Sequence, residues 1–270
     1  MGLELLTAPY AEPIGLYETK AHCRVQVTAD DTYLTDRIRD VREYVEEGLS
    51  LQFVAATWRL KLDEFPEDDE ILLPRGPVIG ISAISYVDSD GATQSLTSSD
   101  YQLDTSKKLA RLQPAYGEAW PSTREQLNAV TVDFYAGYLA PFTAVAATNV
   151  ITVQGRTLTN GDKFRLSNHH TESGGALPGG LSANTDYYVI SASGSTGKLS
   201  LTSGGSEVDI TDTGTGTHFL GQLPGRARSL LNVLVANLYE NREAVIKGTI
   251  VAELPWAAQS LWWSLWPGEM

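Results

Sequence analysis

The chain has 270 residues, 42% of them hydrophobic, enough to enclose one large core or two modest ones. Twenty Lys and Arg against thirty-three Asp and Glu leave a net charge of -13. That is the wrong sign for a broad grip on nucleic-acid phosphates, and sequence-specific nucleic-acid binding is disfavoured. A single cysteine, Cys23, excludes an internal disulfide and a cysteine-based zinc cluster, and is expected as a buried small hydrophobe. No run reaches the roughly 20 apolar residues that cross a bilayer, and MGLELLTAPYAEP lacks the basic start and apolar centre of a signal peptide. Synthesis and use in a cytosol are expected.

Residues 1 to 13 read as extended, with Pro9 and Pro13 limiting regular structure, and Gly15 opens a short helix to about Arg24 with Glu18 in its first turn. Asp30 or Asp31 caps a second helix in which Leu34, Ile38, Val41, Val45 and Leu49 form a stripe, and Gly48 is expected to end it. From Ala55 the period becomes two: Trp58, Leu60 and Leu62 alternate with Thr57, Arg59 and Lys61, predicting a strand that Phe65-Pro66 stops. Further strands are predicted at Ile71 to Leu73, Val78 to Val87, Tyr101 to Leu103, Leu109 to Leu112 and Val130 to Tyr135. DSDG at 88 to 91 reads as a hairpin turn, because the remaining ligands of a calcium loop and its closing Glu are absent.

Between about Pro141 and Leu223 the composition changes: this stretch holds 13 of the 24 glycines and none of the six tryptophans. The alternating runs NVITV, DKFRLS, DYYVIS, KLSLTS and VDIT argue for a small all-β module set into an outer fold. The outer fold resumes at GRARSLLNVLVANLYENRE, residues 225 to 243. There Leu230, Leu231, Leu234, Val235 and Leu238 recur at helical spacing, and Val233 and Tyr239 widen the face until the helix needs cover on most sides. Its obvious partner is the stripe of the second helix. Pro224 and Gly225 give it a sharp entry, and Arg242 and Lys247 stand at or past its end.

The chain closes with a short aromatic helix, Pro255 to about Trp266, bounded by Pro267 and Gly268. Leu261, Trp262, Leu265 and Trp266 share a face that Trp256 and Trp263 flank. A helix this short is not stable alone and must dock, on its own core or on another chain.

Sites for chemistry are not apparent. GSTGK at 194 to 198 lacks the first glycine and the final Ser or Thr of a phosphate loop and reads as a tight turn. His169 and His170 are adjacent, at no metal-binding spacing, and FPEDDE at 65 to 70 reads as a solvated loop. There is no GxSxG and no distinguishable carboxylate pair, so no catalytic, cofactor or metal residue is expected and an enzyme is not the preferred reading.

The succession EPIGLYETKAHCRV, DDTYLTDRIRDVREYVE, TWRLKLDEFP, ILLPRGPV, ISYVDSDG, YQLD, WP, AVTVDFYAGY and ANLYENRE resembles the head-to-tail connector, or adaptor, proteins of tailed double-stranded DNA phages and gene-transfer particles. The resemblance covers about residues 9 to 140 and 224 to 266. It implies a structural virion protein in the neck, assembled in the bacterial host cytoplasm. It further implies a ring of copies, commonly twelve, below the portal protein, contact with a tail or stopper protein, and a channel that continues the path of genomic DNA, with no membrane. In such proteins a helical bundle forms the ring body and the C-terminal segment reaches the portal.

The expected fold class is therefore α+β: a helical bundle with a strand-rich section and an inserted small all-β module. Residues 1–140 and 224–270 would form the connector domain, with its portal-docking tail from about residue 254, and 141–223 the module. Carried over, the portal-facing residues are Leu254, Trp256, Leu261, Trp262, Trp263, Leu265 and Trp266. The sequence departs from the family in passing from Gly137-Tyr138 to Pro224 only after about 80 residues, which resemble β-modules of other phage structural proteins. A rival from another class is a carbohydrate- or surface-binding virion protein, gripping its ligand through the Tyr187-Tyr188 region of that module.

Overall fold

The computed structural model describes residues 1–169, 174–183, 185–242 and 256–266, which form a mixed α+β structure. The chain divides into two compact units, one of Met1–Tyr10 and Ser50–Tyr138, the other of Ala11–Leu49 and Leu139–Met270.

The first unit is all β. Its strands are β1 (Gly2–Thr7), β2 (Ala56–Leu62), β3 (Ile71–Leu72), β4 (Val78–Val87), β5 (Thr93–Leu96), β6 (Tyr101–Asp104), β7 (Arg111–Pro114) and β8 (Val130–Ala136). An open antiparallel sheet runs β1-β2-β8-β4-β5, and a smaller one runs β3-β7-β6. The period-two pattern from Ala56 puts Leu60 into a core with Ile84, Val132, Phe134, Leu73 and Leu112, all at most 1% exposed. Phe65, which ends the run after β2, stacks on Trp120 at 4.8 Å between ring centroids. On the sheet's other face Arg59 makes a bidentate pair with Asp133, at 2.7 Å for each bond, directly across the β2–β8 ladder.

DSDG is the turn between β4 and β5: Asp88 Oδ1 accepts from the amides of Asp90 and Ala92, and Gly91 takes the left-handed φ of +87°. Strand β5, TQSL, gives little period-two apolar signal and is a strand by pairing with β4 rather than by hydrophobicity. The β7 segment begins two residues later than expected, because Leu109 and Ala110 already pack in the core before the ladder with β6 starts.

Among the described residues the second unit holds α1 (Leu16–Cys23), α2 (Asp31–Leu49), α3 (Gly225–Glu240) and α4 (Trp256–Leu265) with seven strands. These are β9 (Ala140–Val145), β10 (Val150–Val153), β11 (Lys163–Phe164), β12 (Leu166–His169), β13 (Tyr187–Ser193), β14 (Thr196–Ser200) and β15 (Thr217–Leu220). They form one antiparallel sheet ordered β11-β13-β14-β10-β9-β15-β12. Its outermost strands are consecutive in the chain, separated by Arg165 alone, so the sheet curls until its edges meet. GSTGK is the tight turn and opening of β14 in the β13–β14 hairpin; VDIT, expected as a strand, forms none, and Val208 only donates to Leu199 O.

Helix α2 packs on α3, and α1 lies against both. The stripe Leu34, Ile38, Val41, Val45 and Leu49 is wholly buried, as are Leu230, Leu231, Leu234 and Val235. Gly48 does not end α2, which runs to Leu49 before Ser50 takes the left-handed φ of +52°. Cys23 is half-buried rather than buried, and desolvation pushes its thiol pKa up.

Gly137, at the end of β8, sits at φ +148° with its amide bonded to Pro77 O, and a β-carbon there would stand 2.6 Å from Ala55 Cα. Gly137→Ala should lower stability by at least about 1 kcal/mol in urea unfolding, since backbone and not a flexible side chain must yield; an unchanged midpoint would show that the strand end can move. Asp104 carries a second expectation. Hydrogen bonds from the Ser106 hydroxyl and amide, joined by the Arg111 guanidinium, hold its pKa at about 2. Its stabilising contribution is complete above the ordinary carboxylate range and is lost as pH falls toward about 2. Carboxyl NMR titration should find Asp104 among the last carboxylates to protonate, and Arg111→Ala should raise its midpoint.

Candidate docking surface

Helix α4 is ten residues long, below what holds a helix in water, so its register is set by what it packs on. It lies on α3. Ala258 and Leu265 are buried, and Leu261 and Trp262 are half-buried. The Trp262 ring reaches α2, with its centroid 5.4 Å from that of Tyr44 and its edge over Gly48. A β-carbon at Gly48 would stand 2.5 Å from the far edge of the indole. The glycine is thus a seat for Trp262 rather than a helix terminator. Two residues on from Trp262, Ser264 O accepts from Arg226 Nη1 at 3.3 Å, placing positive charge at the helix's carbonyl terminus.

The opposite face carries the more exposed indoles. Trp256 is 83% exposed, Trp263 68% and Trp266 40%, and the last two indoles lean together at 5.8 Å. Of the seven residues expected to face a partner, Leu265 is buried within the chain, Leu261 and Trp262 are half-buried, and the three other tryptophans form an outward aromatic patch. Leu254 lies outside the described residues. Sequence reasoning missed Tyr44 and Gly48, whose only signal was an aromatic and a glycine four apart on the exposed side of α2.

Polar clamps hold the helices beneath this surface. Tyr239 and Arg242 converge on Asp30, the Tyr239 hydroxyl donating at 2.7 Å and Arg242 at 2.9 Å, and these bonds hold the Asp30 carboxyl below its usual range. Tyr33 donates to Leu238 O and lies under the Arg242 guanidinium. On α2, Arg42 is buried among Glu12, Glu43 and Glu46 at 2.7, 3.0 and 2.9 Å. Burial pulls its pKa down, but the charges of Glu46 and Glu12 outweigh it and hold it above the ordinary arginine value.

Elsewhere His169 is a packing residue: its Nε2 lies 3.0 Å from Pro13 O and its ring 4.6 Å from Phe219. No cluster of three or more metal-ligating side chains occurs among the described residues. In the seven-stranded sheet Tyr187 is buried, its hydroxyl accepting from the Ser182 amide, while Tyr188 lies beneath Lys163.

Comparisons with known proteins agree with this architecture. Residues 13–111 match the family model described as phage gp6-like head-tail connector protein, bearing out the resemblance to head-to-tail connectors. A chain of the virion of a native gene transfer agent particle has the same fold, with a TM-score of 0.58 at 17% identity. A chain in the neck of the empty particle, computed with C6 symmetry, gives 0.57 at 16%, and one in the neck of the native particle, computed with C12 symmetry, gives 0.53 at 15%. Each match covers 100% of this chain and 97% of the other. No curated protein matches the sequence.

The seat of Trp262 gives a direct expectation. Gly48→Val puts a branched side chain where the indole lies and should release α4, seen as loss of the Tyr44–Trp262 near-ultraviolet dichroism while the far-ultraviolet helix signal of α2 persists. Retention of that dichroism would mean that the indole shifts to admit the valine and that its seat does not require glycine at 48.

Proposed function

We propose that this chain, a head-to-tail connector by the family pattern of residues 13–111, is a structural protein of a virion neck. Copies of it form a ring below the portal, join the DNA-filled head to the tail and continue the DNA channel. The observation that carries the reading is the outward face of α4, where the Trp256 and Trp263 indoles are largely exposed on a helix already seated from behind. Aromatic side chains that lose little rotamer freedom on burial are the usual anchors of protein interfaces. The portal is the partner assigned to them, and a tail or stopper protein meets the ring elsewhere. The fold shared with chains of gene transfer agent necks, one computed with C12 symmetry, supports a ring of about this order.

The role is assembly rather than catalysis. Subunits close a ring through repeated head-to-tail contacts, and many modest anchors on one ring act together through avidity. A net charge of -13 suits a passage along which DNA slides without sticking. Residues 141–223 are read as a module inserted in the connector fold, supported by the pairing of Ala140 with Leu220, which brings its entry and exit side by side.

Electron-microscope imaging of the chain mixed with its cognate portal tests the reading, comparing full-length protein, a chain ending at Glu253, and the triple variant Trp256→Ala, Trp263→Ala, Trp266→Ala. Rings on the portal are expected for the full chain only, with each indole worth on the order of 1–2 kcal/mol per subunit. Rings that persist in both variants would move the anchor off α4. A full-length chain that forms no ring with or without portal would overturn the connector function.

A further inference from the structure

An open sheet has two edges, and in the first unit both are unpaired among the described residues. Strand β1 bonds to β2 on one side and β5 to β4 on one side, and among the described residues no strand is paired to their other sides. Exposed edges recruit further strands, and proteins blunt them with proline, outward lysine, a bulge, short length or a covering loop. Neither GLELLT nor TQSL contains proline or lysine. The charge on β1, Glu4, is turned across the sheet into an ion pair with Lys61 at 2.8 Å, and the only amide side chain on β5, Gln94, is tied back to Asp88 at 2.8 Å. Leu5 and Leu6 are 43% and 39% exposed on the edge strand itself.

The two edges also match. The regular part of β1 is Gly2–Leu5, because its register shifts between Leu5 and Thr7, and β5 is four residues as well. All neighbours in the sheet are antiparallel and the order is five strands long, so β1 and β5 run the same way. A second copy placed head to tail therefore sets its β1 beside β5 of the first as a parallel pair, and leaves its own β5 free for the next. Such a heterologous contact repeats until it closes into a ring. Pairing of β1 with β1 across a two-fold axis would instead be antiparallel and would stop at a dimer.

We infer that β5 of one copy pairs with β1 of the next, so that a continuous sheet runs from subunit to subunit. The occupant of each edge is a second copy of this chain, and the inference rests on the ring proposed above. It adds a backbone contact far in sequence from α4 and independent of the portal.

The test is cross-linking in a Cys23→Ser background, with Leu5→Cys and Ser95→Cys alone and together, treated with a short bismaleimide. The double variant should give a ladder of covalent multimers and each single variant only monomer. A dimer from Leu5→Cys alone would overturn the inference in favour of two-fold pairing of β1. Rings visible by electron microscopy without a ladder would overturn the edge pairing and leave the ring standing, whereas neither rings nor ladder would remove both. Hydrogen exchange on the unaltered chain gives a second reading that needs no variant. Amides of residues 2–5 and 93–96 should slow together on ring formation, and unchanged exchange in assembled rings would overturn the inference.

Discussion

The burial of one helix stripe against another governs the second unit. Leu34, Ile38, Val41 and Val45 of α2 and Leu230, Leu231, Leu234 and Val235 of α3 have no favourable place except against apolar neighbours, and the seven-stranded sheet lies between the two helices in sequence. The apolar contact is non-directional and would tolerate sliding, so the polar clamps supply the register. Asp30 with Tyr239 and Arg242 fixes the end of α3 to the start of α2, and Glu18 with Asn232 fixes its middle to α1 at 2.9 Å. Apolar area provides the driving force and hydrogen-bond geometry selects one alignment of the many that would bury it.

Two consequences follow for the remaining chain. Because Ala140 pairs with Leu220, the excursion from β9 to β15 starts and finishes at neighbouring positions, and its length has little effect on how α3 returns to α2. The aromatic C-terminal helix can exist only because the α2–α3 pair is already formed. Ten residues cannot hold a helix unaided, but the ledge of α3 and the bare backbone at Gly48 provide a seat for Trp262 and Leu265. Once seated, the same helix presents its remaining indoles at little further entropic cost.

What the sequence disclosed depended on how far each signal was local. The stripes of α2 and α3, the alternation of β2 and the DSDG turn are carried by spacing within one element, and all appear where expected. Strand β5 was hidden because TQSL has a single apolar residue, Leu96, and owes its conformation to β4. VDIT has the alternation of a strand, but its amides go to scattered acceptors, Val208 to Leu199 O, Ile210 to Asn149 Oδ1 and Thr211 to Gly179 O, rather than to one neighbouring strand, and pattern alone does not make one. Gly48 was misassigned for a related reason: glycine near the end of a stripe signals a cap, and only the placement of a tryptophan more than two hundred residues later makes it a packing seat. The C-terminal helix was legible as needing a partner, yet the division of its residues between an inner and an outer face was not, since all four large apolar side chains of its expected face are chemically alike.

The same distinction bears on a fold shared at 15–17% identity. Residues 13–111, which carry the family pattern, run from the approach to α1 through α2 and the first strands to the start of β7. Beyond them the likeness is one of architecture. Pairing of β8 into the first sheet requires apolar residues at alternate positions, here Val130, Val132, Phe134 and Ala136, and a glycine where the chain passes Ala55, but it does not require those particular apolar residues. Many sequences satisfy such a requirement, so identity can fall while topology stays. Residues that face other chains are held by a different constraint, complementarity to a partner that also changes. The exposed indoles of α4 and the unpaired edges of β1 and β5 belong to this chain's surface, on which the alternation that holds β8 in place sets no requirement.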